Sequence, residues 1–230
     1  MQSAPVSPKS SVQLLTDRAR RPDREAMATL SEVFAERAVD GAAVAFALGH
    51  LPVSDKPVMW VQDRLSRREA GRPCLAGLPR GLKVILVDVA RPVDVLWAME
   101  QSLGCPSLAG VVGEVWGDAP AVDFTATKRL ALRSEAHRVP AWLIRRATEP
   151  ALSAARDRWR VRSLPSLPDP HDIRAPGQPL WRTELFRSRW RVPGDWVSHH
   201  DGTRLVMEHG IDAQPDTAAQ TAADAVQATG

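Results

Sequence analysis

Between Thr29 and Pro140, short and nearly continuous apolar runs alternate with amphipathic stretches, and that alternation limits this chain to a sheet-and-helix sandwich. Leu82 to Val89 reads Leu-Lys-Val-Ile-Leu-Val-Asp-Val. It is β-branched and almost unbroken, the pattern of a parallel strand covered on both faces. Ser31 to Ala35, Pro57 to Gln62, Leu108 to Trp116 and Pro140 to Arg145 read as further strands. Helices fall between them, at Ala42 to His50, Arg91 to Gly104, and Thr125 to His137 with Asp123 or Thr125 as cap. Pro92 at the first helical position, Asp94 in the first turn and Gly104 at the end punctuate the second of these. On it, Val93, Leu96, Trp97, Glu100 and Leu103 share a face, which predicts that Trp97 lies in the core. Strands joined by helices of this length require right-handed crossovers. The expectation is therefore an α/β fold with a mainly parallel sheet flanked by helices.

A sheet of this kind that holds a nucleoside triphosphate on a Walker A loop carries G-x-x-x-x-G-K-[ST]. There, backbone N–H groups converge on the phosphates, Lys supplies charge and a hydroxyl reaches Mg²⁺. The corresponding stretch here is Glu36-Arg37-Ala38-Val39-Asp40-Gly41-Ala42-Ala43. One glycine stands in it, Ala42 and Ala43 replace Lys and the hydroxyl residue, and Asp40 would repel a triphosphate. Glu114, after Val111-Val112-Gly113, occupies the place of a Walker B carboxylate, which holds Mg²⁺ or positions water only in concert with the phosphate loop. The expectation is no ATPase activity, no catalytic residues, no cofactor and no metal.

Other catalytic patterns are missing as well: G-x-S-x-G, H-E-x-x-H and G-x-G-x-x-G do not occur. His199-His200-Asp201 is a tight His/acid cluster, but adjacent residues of a strand face opposite ways and Asp201-Gly202 is a turn signal. It reads as a solvated hairpin end. Cys74 and Cys105 form no C-x-x-C and read as reduced thiols.

With 230 residues and 44% hydrophobic content, one large domain is expected. Residues 1–28 read as a polar N-terminal arm, 29–210 as the α/β domain with a basic antiparallel C-terminal extension, and 211–230 as a disordered tail of Ala, Gln, Thr and Asp. No apolar run is long enough to span a bilayer and the first residues form no signal peptide, so a cytoplasmic protein without membrane contact is expected.

The net charge of +3 hides an asymmetry. From Lys128 to Val192 there are fifteen Lys/Arg against six acids, an excess of nine positive charges. Arg158, Arg160 and Arg162 alternate with Trp159 and Val161. Arg187, Arg189 and Arg191 alternate with Phe186, Trp190 and Val192. These six arginines, with Arg182 and Trp190, form a candidate surface for a protein partner or single-stranded DNA. A half-buried sheet with a solvated face is the plain alternative.

Five blocks then line up in order: Arg91-Pro92-x-Asp94-Val95-Leu96-Trp97-Ala98-Met99-Glu100; Ala109-Gly110-Val111-Val112-Gly113-Glu114; Asp123-x-Thr125-Ala126-x-Lys128-Arg129-Leu130-Ala131-Leu132; Arg158-Trp159-Arg160-Val161; and Trp181-Arg182-x-Glu184-Leu185-x-Arg187. In these the chain resembles the ImuA family, the RecA-like, also called SulA-like, accessory proteins of the bacterial mutasome, over roughly residues 30 to 206. The chain departs from that pattern where Glu36-Arg37-Ala38 stands in place of a Gly-rich segment. The resemblance implies a RecA-like fold without catalysis, acting in SOS-induced, error-prone translesion synthesis. It implies as partners an ImuB-like inactive Y-family polymerase and an error-prone DnaE-type polymerase assembly, with RecA or single-stranded DNA as further contacts. A DNA-binding protein unrelated to polymerases and a SulA-like cell-division inhibitor are the other readings.

Overall fold

A computed structural model describes residues 28–74, 81–172, 174–202 and 204–209. The proposed arm (1–28) and tail (211–230) lie almost wholly outside these residues. The elements, in order, are β1 (Leu30–Ala35), α1 (Ala42–Gly49), β2 (Val58–Gln62), α2 (Arg64–Ala70), β3 (Val84–Asp88), α3 (Pro92–Ser102), β4 (Gly110–Trp116), α4 (Phe124–His137), β5 (Ala141–Arg146), β6 (Asp157–Leu164), β7 (Leu180–Ser188), β8 (Gly194–His200) and β9 (Leu205–His209). Among the described residues they form one sheet of order β3-β2-β4-β5-β1-β6-β7-β8-β9. Every pairing from β3 through β6 is parallel, and those from β6 through β9 are antiparallel. The chain is thus α/β, with a mostly parallel sheet extended by antiparallel C-terminal strands. One refinement follows: β6, with Arg158 to Arg162, is the last parallel strand, pairing Glu32 with Arg158 and Phe34 with Arg160, and the antiparallel part begins at β7.

Alternation along the central strands feeds two apolar layers. α1 packs Ala43, Phe46 and Ala47 against Val33, Trp60, Val112, Trp142, Ile144 and Trp159. Its face is built from aromatic edges: the Phe46 ring lies 5.0 Å from Trp159 and 5.9 Å from Trp142, both edge-on, a geometry that aligns ring edges with ring faces. On the other face α3 and α4 bury Val95, Leu96, Met99, Leu103, Leu130 and Ala131 over Leu30, Val61, Val111, Val115 and Leu143. Gly113 is what lets α3 approach so closely, because a Cβ there would sit 2.1 Å from the Met99 sulfur. Helix starts follow the expected chemistry. Pro92 opens α3, and the Asp123 carboxylate caps α4 by accepting the Ala126 N–H at 2.7 Å.

Two expectations about burial need correction. Trp97 is 65% exposed and Val93 is also exposed. α3 turns Val95 and Met99 to the sheet, which leaves Trp97 on its outer flank, the flank on which Glu100 pairs with Arg129 of α4 at 3.3 Å. β3 is the second case, since this most apolar of strands lies at the sheet edge with Ile85 43% exposed. Because Trp97 buries little, Trp97→Ala is expected to move the melting temperature by no more than about 2 °C. Met99→Ala, at a fully buried position, should cost about 2–5 kcal/mol. Thermal melts of the two variants side by side check this, and a large loss in Trp97→Ala would return Trp97 to the core.

Candidate functional site at the carboxyl edge of the sheet

In open α/β sheets, ligands bind outside the carboxyl ends of the parallel strands. At that edge β1 ends in Ala35, the chain runs through Glu36–Gly41, and α1 begins at Ala42, so this is where a phosphate loop would lie. Its polarity is inverted. Instead of amides converging on an anion, the carbonyls of Ala38 and Asp40 converge on a cation: Arg146 Nη1 donates to them at 2.7 and 2.9 Å. The Asp40 carboxylate ties the loop to its surroundings, accepting from the Ala42 N–H at 2.8 Å, from the Ser163 hydroxyl at 2.6 Å and from the Ser163 N–H at 2.7 Å. Partial burial pushes the Asp40 carboxyl up, but these hydrogen bonds and the nearby Arg37 hold it below its ordinary range. A phosphate at this loop would meet carboxylate and carbonyl oxygens.

Glu114 is equally committed. It is buried with Arg146, whose Nε donates to Oε1, while Oε2 accepts from Gln62 Nε2 at 2.6 Å and from the Trp60 indole at 3.3 Å. Behind it Asp63 caps α2 through the Ser66 N–H at 2.6 Å and takes the Trp116 N–H at 3.2 Å. Carboxylates at strand ends are the groups that could hold Mg²⁺, and here both are filled by the protein's own donors. Among the described residues no group of three or more His, Cys, Asp or Glu could hold a metal ion. His199 and His200 end β8, and the chain turns back at Asp201 and Gly202, whose φ is +97°. Cys74 and Cys105 are free and exposed.

Beside the loop lies a crevice of about 390 Å³, lined by Phe34, Glu36, Thr148, Glu149, Pro150 and Arg160 among others. Its rim includes Ala147, a non-glycine residue at φ +50° that turns the chain out of β5. Its polar lining is the Thr148 hydroxyl, the carboxylates of Glu36 and Glu149 and the guanidinium of Arg160.

The arginines of β6 and β7 separate into distinct environments. Arg158 is only 4% exposed. Its Nε donates to the buried Glu32 at 2.7 Å, and its guanidinium lies 5.3 Å from the Phe34 ring centre and 5.2 Å from that of Phe186. Arg160 pairs with Glu184 at 3.1 Å and covers Phe186 at 4.5 Å. Arg162 pairs with Glu36 at 3.4 Å, Arg182 with Asp195 at 3.0 Å, and Arg191 with Asp157 at 3.5 Å. Among the described residues, Arg187 and Arg189 have no ion pair within 4.0 Å. The expected stripe is thus corrected. Arg158, Arg160 and Arg162 share a face, as alternation requires, but it is interspersed with acids and Arg158 is internal. A bulge at Arg158/Trp159 shifts the register, so Trp159 faces Leu185 and Arg187 faces Arg158. β7 then ends at Ser188, and Trp190 is 47% exposed rather than in the core.

Sequence reasoning passed over Arg145, Arg146 and Glu32. The signal was present: charged residues inside strands that are otherwise apolar but for Ser31, Leu-Ser-Glu-Val-Phe-Ala and Ala-Trp-Leu-Ile-Arg-Arg, announce buried partners. Burial pushes the Arg145 guanidinium below its ordinary pKa, against the attraction of Glu32 and Asp118.

Among the described residues no helix is long and apolar enough to cross a membrane. No family model matches the chain. Among curated proteins it is similar to "Protein ImuA" of Caulobacter vibrioides strain NA1000 / CB15N, at 35% identity over 151 residues. It is similar to the same degree to "Protein ImuA" of strain ATCC 19089 / CIP 103742 / CB 15. The match covers 61% of this chain, and the chain spans 59% of the length of each relative. Over those 151 residues the chain is thus similar to proteins named ImuA, in line with the resemblance read from its sequence blocks.

Proposed function

We propose that this chain is a non-catalytic, RecA-like accessory protein of an SOS-induced mutasome, supporting error-prone translesion synthesis through protein contacts in the cytoplasm. Its partners in this reading are an ImuB-like inactive Y-family polymerase and an error-prone DnaE-type polymerase assembly. The observation that carries the non-catalytic part is the Arg146–Glu114 pair. It fills the place of phosphate and Mg²⁺ with the protein's own charges and turns the loop's carbonyls, not its amides, inward. The RecA-like part is supported by a parallel sheet whose first strand lies inside the sheet and leads through a loop directly into α1. The damage-tolerance part is supported by the similarity to ImuA proteins.

The purified chain is expected to release no phosphate from Mg·ATP above a buffer control, and to co-purify with the ImuB-like polymerase in a pull-down from damaged cells. Deleting its gene should abolish ultraviolet-induced mutagenesis, with Glu114→Gln retaining some complementation in proportion to its remaining stability. A Mg²⁺-dependent turnover that Glu114→Gln removes, with the circular dichroism spectrum intact, would overturn the non-catalytic reading.

A further inference from the structure

The turn between β7 and β8 is shaped as a platform, and we propose that it binds single-stranded DNA by stacking a base on Trp190 while Arg187 and Arg189 take the flanking phosphates. This deepens the accessory reading and rests on it for the choice of DNA over RNA. Trp190 is 47% exposed and Val192 84% exposed, so the turn leaves about half of an indole and most of an aliphatic side chain in solvent. The Arg189 guanidinium carbon lies 5.8 Å from the Trp190 ring centre, close enough to polarise and orient the indole. Arg187 is exposed on the strand just before it, and across the ladder stands Arg158, whose charge is already matched by Glu32. Glu135 lies within electrostatic reach of Arg189. It is held low chiefly by Arg156, which donates to both its oxygens at 2.7 and 3.2 Å, and it also accepts from the Thr29 hydroxyl at 3.0 Å. Two exposed guanidinium charges beside a half-exposed ring therefore remain for an external anion.

The turn is also fixed in advance. Ser188 Oγ accepts the N–H groups of Trp190 at 3.1 Å and Arg191 at 2.9 Å, and donates to Asp157 at 2.6 Å. Arg191 reaches the other oxygen of the same carboxylate at 3.5 Å, and the Arg189 N–H donates to the Arg156 carbonyl at 2.9 Å. A ligand meeting this turn orders little that is not already ordered, which favours binding. An acidic peptide would use the two charges but has no need of the indole. An unstacked base uses both, because every base offers a π-face.

The test is fluorescence anisotropy of the full chain with labelled oligothymidylate of about 20 nucleotides across a salt series, with oligouridylate and polyglutamate as competitors. Trp190→Ala should weaken binding by roughly five- to a hundred-fold, the range of one lost base stack. Arg187→Gln with Arg189→Gln should reduce the slope of log affinity against log salt by about 1.4, or about 0.7 per phosphate on a single strand. Arg174→Gln, which removes one exposed arginine elsewhere, should change neither by more than the loss of a single remote charge. Parent-like binding by Trp190→Ala, or polyglutamate competing as well as unlabelled oligothymidylate, would overturn the proposal. Binding of oligouridylate alone would overturn it for DNA. If the loop variants lose oligothymidylate but the parent gene fails to restore damage-induced mutagenesis to a deletion strain, the accessory reading falls and the platform stands. If mutagenesis is restored and the variants bind DNA normally, only the platform falls.

Discussion

Arg146→Met is expected to lower folding stability by about 3–5 kcal/mol, seen as a large drop in the urea midpoint with little change in slope. The guanidinium is buried between three acceptors: the carboxylate of Glu114 on the neighbouring strand and the carbonyls of Ala38 and Asp40 in the loop. A methionine fills much of the same volume, so the loss is electrostatic rather than a cavity. Removing one partner strands the Glu114 charge in the interior, with only Gln62 and Trp60 to solvate it. Adding Glu114→Gln to Arg146→Met should recover part of the loss. The charge then goes, while the side-chain carbonyl can still accept from Gln62 and Trp60. If Arg146→Met alone costs less than about 1 kcal/mol, the pair is not what holds the loop, and the case that it stands in for phosphate and metal weakens with it.

How much of this arrangement could be read from the sequence depends on how local its cause is. The β-branched runs, Pro92 at a helix start, Asp123 as cap and the change of texture from Arg158 act within a few residues, and the structure places the corresponding strands and helices within about two residues of where those signals put them. Asp63, followed by a run of good helix formers, was an equally local cap that marks α2. What failed was set by strand order. Leu82 to Val89 looks like the interior of a parallel sheet because its composition is that of one, but only the topology puts β3 at the edge. Trp97 turns outward because α3 meets Gly113 through Met99, a contact between residues in different elements.

The arginine-rich strands carry the same lesson for the candidate site. Period-2 alternation correctly puts Arg158, Arg160 and Arg162 on one face, yet it says nothing of what the neighbouring strands bring to that face. β1 brings Glu32, β7 brings Glu184, and the loop after β1 brings Glu36. Part of the positive surplus counted along the chain is matched by acids outside that stretch, Glu32 and Glu36 among them, while Glu184 lies within it. On and just beyond these two strands, the arginines that make no ion pair within 4.0 Å among the described residues are Arg187 and Arg189, next to the register shift at Arg158/Trp159 and the end of β7 at Ser188.

Glu32→Gln is therefore expected to separate these arginines by energy. Glu32 is fully buried with one oxygen on Arg158, and Arg145 lies on the same face one strand away. With that carboxylate neutralised, two guanidinium groups remain inside the sheet, and for Arg158 the remaining compensation is the π-faces of Phe34 and Phe186. The expected cost is about 3–5 kcal/mol, the range for breaking a buried ion pair from one side. Arg160→Gln and Arg162→Gln break pairs that are about one-third and one-quarter exposed on the arginine side, and each should cost no more than about 1 kcal/mol. Urea titrations of the three variants give the comparison, and three similar values would mean that the face is uniformly solvated. The ordering also decides which charge reversals can report on binding. Arg158→Glu would set a second carboxylate against Glu32 inside the fold and unfold the sheet, whereas Arg187→Glu and Arg189→Glu act on exposed groups that make no ion pair within 4.0 Å among the described residues, so a binding defect in those two with an unchanged urea midpoint belongs to the surface itself.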